Sequence, residues 1–163
     1  MYFITGCCHE HFNAFESEEA KAVFWDRLLV YCEKCGFVLW VVSLMSNHYH
    51  IVGYNRRASD LKVFMQRFHG SVAKLVNDLL PERRTDFWRD QKGREYFDGC
   101  LRDEKQCRAA CRYTRMQARR HGVIFNFEEY PHTRIFLDFE KCIRRANELG
   151  AFLDGVPYKR YEN

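Results

Sequence analysis

At 163 residues, 47% of them hydrophobic and 29% charged, the chain is long enough for one domain with a real core and too apolar to stay disordered. Its 26 basic and 22 acidic residues leave a formal net charge of +4, a mild bias that does not by itself call for a nucleic-acid partner. No apolar run approaches the roughly 20 residues of a membrane span, and the opening MYFITGCCHEHF lacks the basic start and long apolar stretch of a secretory signal, so the expectation is a soluble, cytoplasmic protein with no membrane partner.

Residues 2–8 form a short apolar run that suits a first strand. Ser17 reads as an N-cap with Glu18 and Glu19 in the first turn. Behind it Ala20, Val23, Phe24, Leu28 and Tyr31 recur at helical spacing, and Gly36 supplies the stop. Residues 37–45 (FVLWVVSLM) are rich in β-branched and aromatic side chains and read as a buried strand, turned at Ser46-Asn47 into a returning strand over residues 48–54. A second helix begins near Ser59, carries the apolar stripe Leu61, Phe64, Met65, Phe68, Val72, Leu75, Val76 and Leu79, and ends before Pro81. Residues 95–101 suit a fourth strand and 103–120 a third helix. The order β-α-β-β-α-β followed by a helix is the ferredoxin-like plan, an α+β fold with an antiparallel sheet and helices packed on one face. In the tail, residues 126–163, Phe136, Phe139, Ile143 and Leu149 suggest a short amphipathic helix before the basic and aromatic end YKRYEN. That extension is expected to pack on the same domain, residues 1–125, and its role is open between bracing the sheet, contacting DNA and forming a homodimer.

Chemistry concentrates in NHYHIV. His48 and His50 lie two apart on a strand, so both imidazoles leave one face while Tyr49 and Ile51 leave the other. Paired imidazoles suit a metal, although spacing alone does not separate a ligand pair from two structural histidines. On the last helix Tyr113 and Gln117 are four apart and share a face, about 5–6 Å apart at Cβ. Gln117 offers an amide oxygen to a hard cation, and Tyr113 a phenol able to attack a phosphorus atom. Arg108, Arg112, Arg115 and Arg119 form a stripe beside that face and Arg120 follows, a run without a carboxylate from Cys107 to His121. A solvated basic helix face is the plainer account of the arginines alone.

Four stretches resemble the single-tyrosine HUH transposases, and most of all the REP-associated tyrosine transposases. They are YFITGC, GFVLWVVSLMSNHYHIV, DLKVFMQRFHGSVAKLVN and FWRDQKGREYFDGCLRDEKQCRAACRYTRMQARRHGVI, which in order and spacing span about residues 2–125. The resemblance implies His48 and His50 as metal ligands, Tyr113 as nucleophile and Gln117 as third ligand. It implies a divalent cofactor, Mg²⁺ or Mn²⁺, single-stranded or hairpin DNA as partner, and a 5′-phosphotyrosine intermediate in cleavage and strand transfer. The arginines Arg108, Arg112, Arg115, Arg119 and Arg120 would then hold phosphates. Ser46 stands where many relatives have proline, and Gln117-Ala118 replaces the Asn-Pro common in the REP-associated group. A phenol is weakly acidic, so the metal or Arg112 and Arg115 would have to assist its deprotonation.

Other signals are weaker. Without export, Cys7, Cys8, Cys32, Cys35, Cys100, Cys107, Cys111 and Cys142 are expected to be reduced thiols. Cys32 and Cys35 with Cys107 and Cys111 could be imagined as a zinc site, but packing within two predicted helices accounts for them more simply. The same holds for Cys7, Cys8, His9 and His11. Tyr96 is a rival nucleophile with Asp98 beside it to repel phosphate. A catalytically silent, domesticated DNA-hairpin-binding protein is the alternative function, and an RRM-like RNA binder is disfavoured by the missing glycine- and aromatic-rich signature.

Overall fold

The computed structural model describes residues 1–55, 57–90, 92–123 and 129–154. The chain runs β1 (Tyr2–Cys7), a single 3-10 turn (His9–His11), α1 (Glu18–Cys35), β2 (Val38–Leu44), β3 (His48–Tyr54), α2 (Ala58–Asn77) and β4 (Phe97–Cys100). It continues with α3 (Glu104–Arg115), α4 (Gln117–Arg120), β5 (Thr133–Ile135) and α5 (Phe139–Asp154). The strands order as β4-β1-β3-β2-β5 and every paired neighbour is antiparallel. The first four strands are the expected ferredoxin-like sheet.

The capping residues act as their chemistry requires. Ser17 Oγ accepts from the Ala20 amide at 3.1 Å, satisfying one of the unpaired donors at the start of α1. Gly36 closes that helix at φ 65°, a left-handed conformation in which glycine meets no Cβ penalty. Asp103 caps α3 by accepting from the Gln106 amide at 2.7 Å.

The sheet buries both faces. Ile4, Val42, Leu44, Tyr49 and Ile51 meet Phe24 and Leu28 of α1 and Phe64, Phe68 and Val72 of α2 in the main core. The opposite face, through Phe3, Val41 and Val52, meets Cys107, Ala110 and Cys111 of α3 and Phe139 of α5. Helices thus cover both faces, where the ferredoxin-like plan predicts one, because α3 also carries an apolar strip wide enough to seal the second face. Aromatic residues pack within the main core: Phe37 stacks on Phe64 with ring centroids at 4.6 Å and Phe24 packs edge-on against Phe68 at 5.3 Å.

Three elements differ from the sequence reading. β4 is shorter than residues 95–101. The helix expected over residues 103–120 breaks at Met116 (φ −88°, ψ 3°), and the Gln117 side-chain Nε2 donates to the Tyr113 carbonyl at 3.0 Å, taking the acceptor that a continuous helix gives to a backbone amide. The tail holds an unforeseen edge strand, β5, beside β2, ahead of the expected helix, whose Leu149 side chain and the following YKRYEN lie outside the described residues. Among the described residues no helix is long and apolar enough to cross a membrane.

Tyr49 holds β3 against the main core. Burial keeps its phenol protonated and pushes His69 down to about 3, so a neutral hydroxyl and a neutral imidazole share a hydrogen bond between Tyr49 Oη and His69 Nε2 at 2.5 Å. The Tyr49 ring lies across Gly6, its partner on β1, where an added Cβ would collide with the ring. Gly6→Ala should therefore cost about 1–3 kcal/mol, read as a drop of several degrees in Tm by circular dichroism; an unchanged Tm would show that the ring has room to move.

Candidate active site

The pleat of β3 sends His48 and His50 to the face covered by α3, as their spacing predicts. His50 faces Thr5 across the β1–β3 ladder, and its Nδ1 lies 2.9 Å from Thr5 Oγ1. His48 Nδ1 lies 2.7 Å from Asn47 Oδ1, and Asn47 in turn donates Nδ2 to the His11 carbonyl at 3.1 Å. Asn47 Oδ1 can only accept, so His48 carries its proton on Nδ1 and presents the Nε2 lone pair. The 3-10 turn beneath this clamp places two non-glycine residues at positive φ, Glu10 at 50° and His11 at 54°, a local cost retained beside the site.

The rings are close. His48 and His50 have centroids 5.2 Å apart. His50 stacks on Phe3 at 5.5 Å. Tyr113 stands edge-on to His50 at 5.3 Å and to Phe3 at 5.8 Å, while remaining 38% exposed. The Arg120 guanidinium lies 4.6 Å above the Tyr113 ring. His121 packs on His48 at 4.7 Å. Gln117, only 1% exposed, turns inward beyond the Met116 break, beside His48 and His50. Its Nε2 donates to the Tyr113 carbonyl, which leaves Oε1 outside that bond.

Burial is the main reason that His48 is pushed down to about 4, with the neighbouring His121 adding to it and Gln117 opposing it. His50 is pushed down to about 3, again chiefly by burial and then by His48 and His121. Both are neutral imidazoles at physiological pH, the form that binds a metal. Two imidazoles and an amide oxygen fit a divalent cation as donor types. Among the described residues no group of three or more His, Cys, Asp or Glu is arranged to hold a metal.

The arginines disperse. Arg112 and Arg120 line an open groove of about 520 Å³ together with Tyr113, Lys105 and Arg108. Arg108 is engaged by Glu104 at 2.8 Å and by Glu140 at 2.6 and 3.0 Å, tying α3 to α5. Arg115 lines a separate cleft on the far side of α3, and Arg119 is exposed on α4. Tyr96 packs toward the main core and meets His69 at 5.8 Å, on the face of the sheet away from the histidine pair. Cys32 and Cys35 sit on α1 and Cys107 and Cys111 on α3, on opposite faces of the sheet, so the two pairs do not meet.

Sequence reasoning missed Thr5, Asn47, Lys105 and His121. His121 had a usable signal, standing four residues after Gln117. Thr5 had none, because its place opposite His50 depends on strand register.

A family model described as IS200-like transposase matches residues 1–117. The fold is similar to a solved REP-associated tyrosine transposase bound to a REP hairpin, with TM-score 0.67 and 11% identity over 89% of this chain and 79% of that one. It is similar also to a transposase structure from Deinococcus radiodurans R1, with TM-score 0.49 and 14% identity over 66% of this chain and 83% of that one. No curated protein matches the sequence.

The pH dependence of stability follows from the buried histidines. His48, His50 and His69 have folded pKa values of about 4, 3 and 3 against an ordinary 6.5. As pH falls below 6.5 the unfolded chain takes up protons that the folded chain refuses, so stability falls with pH in that range. Urea melts at neutral pH and at about pH 5 should differ by ~2 kcal/mol or more; equal stability would mean the rings are charged in the fold.

Proposed function

The chain belongs to the IS200-like transposase family, and from that premise we propose that it cleaves and rejoins single-stranded, hairpin-bearing DNA with Tyr113 as nucleophile. The observation that carries this reading is the meeting of Tyr113, His50 and Gln117: a phenol edge-on to a neutral imidazole at 5.3 Å, with the buried Gln117 amide bonded to the tyrosine's own carbonyl.

His48, His50 and Gln117 would hold the cation, Mg²⁺ or Mn²⁺, which supplies Lewis-acid polarisation of the scissile phosphate. Tyr113 Oη forms a bond to phosphorus as the bond to the 3′ oxygen breaks, leaving a 5′-phosphotyrosine and a 3′-OH that has taken up a proton. Attack by a second 3′-OH on that phosphotyrosine forms the new phosphodiester and returns the phenol. One phosphate ester replaces another at each step, so no external energy source is needed. Arg120, above the ring, offsets negative charge on the attacking oxygen, and Arg112 and Lys105 hold the flanking backbone. Arg108 lines the same groove but spends part of its charge on Glu140, while Arg115 and Arg119 lie further out and add long-range attraction. REP-type hairpins are the substrate to try first. The extension beyond residue 125 braces β2 through β5 and fixes α3 through Arg108–Glu140.

With Mn²⁺ and hairpin DNA from the flanks of its own gene, the protein should form a denaturation-resistant adduct on Tyr113. Chelator or His48→Ala should abolish it. Tyr113→Phe should bind the same DNA within a few-fold yet form no adduct; an adduct on this variant, or one mapped by mass spectrometry to Tyr96, would overturn the assignment. Persistent binding with no adduct under either metal would favour the silent hairpin-binding protein.

A further inference from the structure

His48 and His50 leave the same face of β3, but their Nδ1 atoms meet partners of different chemistry. His48 Nδ1 is bonded to Asn47 Oδ1 at 2.7 Å, an oxygen that only accepts, so its proton is fixed there. His50 Nδ1 is bonded to Thr5 Oγ1 at 2.9 Å, and a hydroxyl both donates and accepts. Asn47 is the neighbour of His48 in the chain, whereas Thr5 arrives on β1 from 45 residues away.

β1 holds the His50 ring in two ways. Phe3 and Thr5 lie two apart on the strand, so both side chains leave the face covered by α3. Phe3 lies flat against the imidazole, with centroids 5.5 Å apart and planes 7° from parallel. Thr5 stands directly across the ladder and takes Nδ1. On the other side β2 places Ser43 opposite His50, but the Ser43 hydroxyl is bonded to Thr133 Oγ1 on β5 at 2.8 Å. Thr5, His50, Ser43 and Thr133 thus form one row across the sheet, in which one hydroxyl engages the imidazole and two engage each other.

His50 is only 5% exposed, so a ring N–H without an acceptor is costly there. An imidazole that offers its Nε2 lone pair to a cation must carry its proton on Nδ1. We propose that Thr5 is a positioning residue for the cation: its hydroxyl accepts the Nδ1 proton of His50 and so frees the Nε2 lone pair for the metal. The inference rests on the cation site of the strand-cleaving reading and adds to it the group that makes His50 a ligand. Valine at this position is close to threonine in shape but offers no acceptor. The proton is then driven to Nε2, where it occupies the lone pair that the cation needs.

The test titrates Mn²⁺ alone into the full chain at neutral pH and counts the free ion by electron paramagnetic resonance. Thr5→Val should weaken Mn²⁺ binding by about tenfold or more, and Thr5→Ser, which keeps the hydroxyl, should bind nearly as the wild type does. Ser43→Ala is the control: it removes a buried hydroxyl from the same row and lowers Tm, yet should leave Mn²⁺ affinity unchanged. In the Mg²⁺-loaded wild type, long-range proton–nitrogen NMR correlation should find His50 protonated on Nδ1 and bare on Nε2. Unchanged affinity in Thr5→Val overturns the proposal, as does an equal loss in Thr5→Ser or Ser43→Ala. A His50 proton on Nε2 in the loaded protein overturns it too, and that measurement needs only wild-type protein, so a poorly folded variant does not shelter the idea. Mn²⁺ binding that ignores Thr5 sinks the positioning role alone, whereas a wild type that binds no Mn²⁺ takes the cation site with it.

Discussion

The alternation of side chains along β3 is the constraint on which both the core and the site depend. Tyr49 and Ile51 point into the packing between the sheet and α1 and α2, and the Tyr49 hydroxyl is anchored on His69. Their neighbours His48 and His50 must then emerge on the other side, under α3. A slip of one residue would put two imidazoles into an apolar core and a tyrosine into the site. The register is therefore held by large energies that have nothing to do with catalysis: the burial of a full aromatic side chain, the close fit of the Tyr49 ring over Gly6, and the ladder pairing of Thr5 with His50 and Cys7 with His48.

The second half of the site comes from a defect in a helix. A continuous helix through residue 120 would keep Gln117 on the face it shares with Tyr113. Breaking at Met116, with the side-chain amide bonded to the Tyr113 carbonyl, drops Gln117 into the interior and leaves Tyr113 38% exposed. One residue becomes a buried amide beside two histidines and the other an exposed phenol. Arg120 and His121 follow on the short α4 and close over Tyr113 and His48 respectively. The bend thus gathers four side chains within nine residues of sequence around the β3 pair.

Much of this was legible in the sequence, for identifiable reasons. Period-two alternation in NHYHIV gave the facing of the histidines, and Ser17, Gly36 and the stripe from Leu61 to Val76 gave the helices. The Tyr113–Gln117 pairing was visible from helical spacing, although its meaning changed once the helix broke. What was hidden depends on long-range geometry. Thr5 reaches His50 only through strand register, Asn47 holds His48 only because the His11 carbonyl comes back beside it, and β5 is a three-residue edge strand with no periodicity to read. The arginine stripe misled in part: helical spacing predicts one row, but Arg108 is drawn to Glu140 on an element that joins from the tail, and Arg115 opens into a different cleft.

The charge of the candidate ligand set has a consequence for the order of events. His48, His50 and Gln117 are all neutral, and no carboxylate joins them among the described residues. A divalent ion held by three neutral groups keeps its full charge in a half-buried site beside Arg120, and hard cations of this kind prefer anionic oxygen. The missing negative charge is what a DNA phosphate would bring. Metal and strand should then each strengthen the binding of the other, by the reciprocity that any linkage requires.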